Sequence, residues 1–158
     1  MTLRTILGTS TFLALTLALA GCGGGSGAPG ASGSNASSSA AVTVSKYDAG
    51  PRAGEQPINQ DLVEAGEKLF KDKGCSACHA FGAQLSGPDL KGVSMRRTAL
   101  WMENQILHPE VMVKEDPISH TMFAKYALQM TNLHLTPAEA RTLIEYLKHQ
   151  DHEQSEVH

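Results

Sequence analysis

Cys75-Ser76-Ala77-Cys78-His79 is the stretch from which this chain is read. Two thiols three positions apart, followed at once by an imidazole, form the C-x-x-C-H pattern that attaches a c-type haem. Each thiol adds to one vinyl group of the porphyrin, and His79 is held under the iron as its proximal ligand. Two other readings compete. A structural zinc site closes with four ligands, and no cysteine follows Cys78 to complete a second pair. A thioredoxin-like dithiol follows a strand in a βαβ unit, whereas the residues ahead of Cys75 carry helical spacing. The expected cofactor is one haem c, bound covalently through Cys75 and Cys78.

Upstream of the motif, Leu62, Ala65, Gly66, Leu69 and Phe70 recur at intervals of three and four. That period predicts a helix over 60–73 with one apolar face, capped by Asn59 or Asp61 and broken by Gly74. Downstream, 98–107 predicts a further helix through Leu100, Trp101, Ile106 and Leu107, stopped by Pro109. Thr136-Pro137-Ala138-Glu139 combines a threonine cap, a first-turn proline and a glutamate at the third position, so a last helix starts there with Ala140, Leu143, Ile144 and Leu147 on its buried side. No alternating strand pattern appears, and the fold class is all-α.

The first residues read as an export signal. Arg4 is followed by a short apolar run, 12–20, which is too short to span a bilayer comfortably. Leu19-Ala20-Gly21-Cys22 resembles a bacterial lipobox, which implies a signal peptide at 1–21 and acylation of Cys22 at the mature N-terminus. The chain has 3 cysteines, so one lipid attachment and two thioethers account for all of them. Several acyl chains make the attachment lasting where one is marginal. Residues 22–59, from the lipidated Cys22 onward, are read as a flexible Gly/Ser/Ala linker, too poor in large apolar groups to order itself. Its r.m.s. reach is on the order of 30–35 Å. Residues 60–150 form one small domain, and 151–158 a disordered tail.

Gly66 and Phe70 in the first helix, the C-x-x-C-H motif, Gly87-Pro88-Asp89-Leu90, Trp101, and Tyr146-Leu147 in the last helix are together similar to small class I mono-haem cytochrome c domains. The resemblance implies a small fold of about four helices wrapped around one haem, with Gly66 letting the first and last helices cross closely. It implies Met130 as the distal iron ligand, because the family carries that methionine on a loop before the last helix. The run from Gln129 to Thr136 is similar to the family's Met-Pro-x-Leu segment, with Thr131 in place of proline. Met122 is the alternative axial ligand, and a histidine such as His108, His120 or His134 a third choice. The resemblance further implies that the Pro88 carbonyl accepts the imidazole N–H of His79 and that the Trp101 indole reaches a haem propionate.

His/Met ligation favours a relatively high potential and leaves no open site on the iron. The expected function is therefore a membrane-tethered, periplasm-facing one-electron carrier and not an enzyme. Its expected partners are redox proteins of a respiratory chain, with a terminal nitrogen-oxide reductase among the acceptors and no small-molecule substrate. A haem-based sensor or a peroxidase-like enzyme with a labile distal ligand is the alternative. The expected location is the bacterial cell envelope, facing the periplasm or the exterior. With 13 Lys and Arg against 16 Asp and Glu, the net charge is −3, and no basic run suggests nucleic acid. Lys68, Lys71, Lys73 and Lys91 lie near the haem motif, either as a docking ring or as an ordinary solvated face.

Overall fold

Helix α1 (Gln60–Asp72) begins where the Asn59 side chain accepts the Asp61 N–H, and ends where Gly74 turns left-handed at φ 75°. The computed structural model describes residues 45–156. The expected signal peptide, Cys22, the first part of the linker and His158 lie outside these residues. Among the described residues there are six α-helices and no strand, so the all-α class holds. None of these helices is long and apolar enough to cross a membrane.

After α1, a single 3-10 turn (Cys75–Ala77) carries the haem motif, and α2 (Val93–Arg96) follows a loop. Helix α3 (Ala99–Leu107) is capped by Thr98, whose side chain accepts the Trp101 N–H. Helices α4 (Pro109–Glu115) and α5 (Pro117–Tyr126) follow in a stretch for which the apolar spacing predicts no helix. Pro109 does stop α3, but it also occupies the first position of α4, and Pro117 does the same for α5 behind an Asp116 cap. A proline ends one helix and opens the next because its missing N–H is unneeded at a first turn. Helix α6 (Pro137–Ser155) starts on the predicted capping box, with Thr136 and Glu139 bonded reciprocally.

Helices α1 and α6 cross at Gly66. A Cβ there would lie 2.5 Å from the Thr142 carbonyl oxygen and 2.7 Å from the Tyr146 Cβ, so only glycine fits. Beside the crossing, Phe70, Phe81 and Tyr146 pack with ring centroids 5.6–5.8 Å apart. Such pairs contribute about 0.5–1.5 kcal/mol each beyond the area they bury. Ala140, Leu143, Ile144 and Leu147 are buried as expected, whereas Leu100 on α3 is exposed.

Two boundaries differ from the sequence reading. Residues 45–59 are packed onto the domain instead of belonging to a loose linker. Ala53 is in the core, the Tyr47 carbonyl accepts the Thr98 hydroxyl at 3.0 Å, and Asp48 accepts the Thr98 N–H at 2.8 Å. Asp48 also pairs with Arg52 and Arg97. At the other end, α6 continues through residues assigned to a disordered tail. The Asp151 carboxylate is buried and accepts the Gly92 and Ser94 N–H groups and the Ser94 hydroxyl, which ties the last turns of α6 to the start of α2. His152 reaches the Gly54 carbonyl at 3.1 Å, a hydrogen bond that ties this part of α6 to the 45–59 segment.

Candidate haem site

The left-handed turn at Gly74 sends the chain back across the end of α1, and Cys75, Cys78 and His79 then line one wall of a cavity of about 380 Å³. Both cysteines are half-buried, and neither is in a disulfide among the described residues. Burial pushes the Cys75 thiol above its ordinary pKa.

The imidazole of His79 is fixed by the segment that follows. Its Nδ1 lies 2.9 Å from the Pro88 carbonyl oxygen. A carbonyl only accepts, so Nδ1 carries the proton and Nε2 keeps its lone pair for a metal. Gly87 lets the backbone come this close. A Cβ there would stand 2.7 Å from His79 Cε1 and 3.1 Å from the Cys78 carbonyl oxygen. The Gly87 N–H also donates to that same oxygen at 2.9 Å. Farther along, Asp89 Oδ1 accepts the N–H groups of Gly82 at 2.7 Å and Lys91 at 2.8 Å, which pins the loop. These hydrogen bonds, the Lys91 one above all, hold the Asp89 carboxyl below its ordinary pKa.

The rest of the cavity is built by α3, α4, α5, α6 and the loops before α2 and α6. Leu90, Ile106, Val113, Leu133, Leu135 and Leu143 make it largely apolar. Three methionines line it: Met102, Met122 and Met130. Met102 is part of the buried core on α3, and Met122 lies on α5, where it also borders a second recess with Arg97 and Thr121. Met130 sits in the loop between α5 and α6, and Gln105 Nε2 is 3.9 Å from its sulfur. Of the described histidines, His79 alone lines the cavity, which removes His108, His120 and His134 from its wall.

This donor set fits a covalent haem. The cavity is apolar, it has two thiols and one oriented imidazole along one wall, and a thioether sulfur lines it as well. The cradle at Gly87, which any Cβ would fill, is of use only if His79 must keep one orientation.

Trp101 does not stand as expected. It is buried and lines the cavity, but its indole N–H donates to Asp116 Oδ1 at 3.1 Å, so it is not available to a propionate. The buried Asp116 carboxylate outcompetes a solvated partner because it would otherwise lack donors inside the protein. Ser119 N–H donates to the same oxygen at 2.8 Å. The other carboxylate oxygen, Oδ2, has no hydrogen-bond partner among the described residues. Burial pushes the Asp116 carboxyl upward, yet the surrounding Ser45, Ser119 and Trp101 groups outweigh it and hold the pKa below the usual value. Arg97 is engaged by Asp48 and stacks over the Trp101 ring at 5.2 Å.

The lysines near the motif are mostly neutralised. Lys68 pairs with Asp72, Lys71 with Glu67 at 2.6 Å, and Lys73 with Glu139 at 3.2 Å. Only Lys91 of the four has no carboxylate partner among the described residues. A solvated, self-paired helix face describes them better than a docking ring.

Asp116, Ser119 and Gln105 went unrecognised in the sequence. Gln105 is a polar residue three positions after Met102 on an apolar helix face, and Asp116-Pro117 is a cap followed by a first-turn proline. Either signal marks a helix wall, but neither announces a cavity.

The cytochrome c family model matches residues 63–151. Cytochrome c-551 of Azotobacter vinelandii is 48% identical over 33 residues, which are 21% of this chain and 40% of that protein. Cytochrome c-551 of Ectopseudomonas mendocina is 47% identical over 36 residues, 23% of this chain and 44% of that one. The chain thus spans less than half the length of these curated relatives. The solved cytochrome c of Rhodothermus marinus superposes with a TM-score of 0.60 at 33% identity, over 63% of this chain and 84% of that structure. With a family match that runs through α1, the C-x-x-C-H turn, the cavity walls and α6, this chain belongs to the cytochrome c family, whose members bind one covalent haem c.

Proposed function

We propose that this protein is a one-electron carrier anchored by a lipid on Cys22 to a bacterial envelope membrane, facing the periplasm or cell exterior. It accepts an electron from one redox protein of a respiratory chain and passes it to another, with a terminal nitrogen-oxide reductase as the favoured kind of acceptor. When bound, the haem supplies an iron that cycles between Fe(III) and Fe(II). Cys75 and Cys78 hold it through thioethers, His79 gives Nε2, and Met130 gives its sulfur.

The observation that carries this reading is the cavity itself. A proton-committed imidazole and a loop methionine line the same apolar space as the two thiols. Two protein ligands saturate the iron and leave no place for oxygen or peroxide, which supports electron transfer over catalysis or gas sensing. Met130 is preferred to Met122 because it has a hydrogen-bond donor directed at its sulfur.

The ferric absorption spectrum tests the assignment. The weak band toward the red that reports iron–thioether bonding is expected in the wild type and in Met122→Ala, and absent from Met130→Ala. Persistence of the band in Met130→Ala would overturn it. Rapid carbon monoxide binding by the reduced wild type would favour the sensor alternative.

A further inference from the structure

We propose that Gln105 is a positioning residue that aims an N–H at the Met130 sulfur and thereby raises the reduction potential, held in place by a hydrogen-bonded chain that runs back to the buried Asp116. This rests on Met130 being the distal ligand. The chain has three links. Gln105 Nε2 lies 3.9 Å from the Met130 sulfur, the Ser119 hydroxyl donates to Gln105 Oε1 at 2.6 Å, and the Ser119 N–H donates to Asp116 Oδ1 at 2.8 Å. Asp116 and Ser119 are 1% and 2% exposed, so solvent does not compete for the far end.

The amide of Gln105 has two orientations in principle, and its neighbours choose between them. A thioether sulfur can only accept, so the NH₂ group must face Met130 and the oxygen must face Ser119. The Ser119 hydroxyl then donates to that oxygen. Ser119 cannot wander, because its backbone is in the first turn of α5 and its N–H is committed to the Asp116 cap. Asp116 is fixed in turn by the Trp101 indole at 3.1 Å, which joins α5 back to α3, the helix that carries Gln105. The sulfur is on a loop, where packing alone holds a side chain least firmly. A donor mounted on a helix and locked at its own oxygen supplies the missing restraint.

An N–H directed at the sulfur draws off electron density that the sulfur would otherwise give the iron. Fe(III) depends on that density more than Fe(II) does, so the donor favours the reduced state. Sulfur is a weak acceptor, and the net effect of one such bond is modest. Removing it is expected to change the Fe(III)/Fe(II) ratio at fixed potential about threefold in favour of Fe(III). At 59 mV per tenfold for one electron, this is a fall of about 28 mV in the midpoint.

The test is a set of equilibrium redox titrations on the haem-loaded protein, with the ferric spectrum and thermal unfolding recorded for each variant. Gln105→Leu, which keeps bulk and removes the donor, is expected to retain the thioether band and to lower the midpoint by that amount. Ser119→Ala, which frees the amide to rotate, is expected to shift the midpoint in the same direction and by less. If Gln105→Leu does not fold, Ser119→Ala decides alone. A merely structural role would lower the unfolding temperature with the midpoint unchanged, and that result, or a raised midpoint, overturns the proposal. Failure of the ligand assignment is separately visible, because it shows as a retained band in Met130→Ala.

Discussion

Replacing Gly66 by alanine sets two effects against each other, and the structure says which wins. Intrinsic propensity favours alanine over glycine inside a helix by about 1 kcal/mol. The new Cβ, however, would sit 2.5 Å from the Thr142 carbonyl oxygen and 2.7 Å from the Tyr146 Cβ. The first of these is backbone, which has no rotamer to escape into, so α1 and α6 must separate. Overpacking of this kind costs about 1–3 kcal/mol, and contact with backbone belongs at the upper end. The balance is a net destabilisation of about 1–2 kcal/mol, which for a domain of this size lowers Tm by on the order of 5–15 °C. Thermal and denaturant unfolding of the ferric protein measures it, with Ala65→Gly as the control. Ala65 is exposed on the same helix, and its replacement loses only the propensity of about 1 kcal/mol. A Gly66→Ala variant that is as stable as wild type or more so would refute the close crossing.

Other consequences follow from single contacts. Gly87→Ala puts a Cβ 2.7 Å from His79 Cε1 and should reduce haem-loaded protein per cell, measured as haem per polypeptide after export, while an alanine at the exposed Gly74 has nothing within 4 Å to strike and should suffer only from its positive φ. Asp48→Ala removes the acceptor shared by Thr98 N–H, Arg52 and Arg97 and should destabilise by about 2 kcal/mol in urea unfolding, an effect a free linker could not have. Glu139 is held below the ordinary glutamate pKa of 4.5 by the Thr136 N–H first, then by the Thr136 hydroxyl and Lys73. Its folded pKa is the depressed one, so its stabilising contribution is present above about pH 4.5 and fades as the pH falls through the lower folded value. Glu139→Gln should therefore flatten the acid side of the stability profile, and an unchanged profile would count against the capping box.

What the sequence discloses, and what it hides, follows from the range of the forces involved. Helices α1, α3 and α6 were readable because their caps and apolar periods are local: Asn59, Thr98 and Thr136 each bond an N–H two or three residues on. The haem motif was readable for the same reason. Helices α4 and α5 are short, seven and ten residues, and prolines that look like interruptions in fact start them. The ordered segment at 45–59 depends on Thr98, Arg97 and Lys148, which lie far along the chain, and no local pattern reveals such partners. The composition does change there, since Tyr47, Asp48 and Arg52 interrupt the Gly/Ser/Ala run. Trp101 was assigned its indole partner by likeness, whereas the structure gives it Asp116, fifteen residues away on the next helix pair. Only the fold could bring that carboxylate in.

Covalent attachment at Cys75 and Cys78 is the claim on which the rest stands, and mass spectrometry of the exported protein tests it most directly. Trypsin cuts after Lys73 and Lys91, which isolates residues 74–91 with both cysteines and His79. The account predicts that this peptide carries the mass of one haem and reacts with no thiol reagent. Recovery of the same peptide without added mass, with two alkylatable thiols, from cells that mature other c-type cytochromes would contradict it.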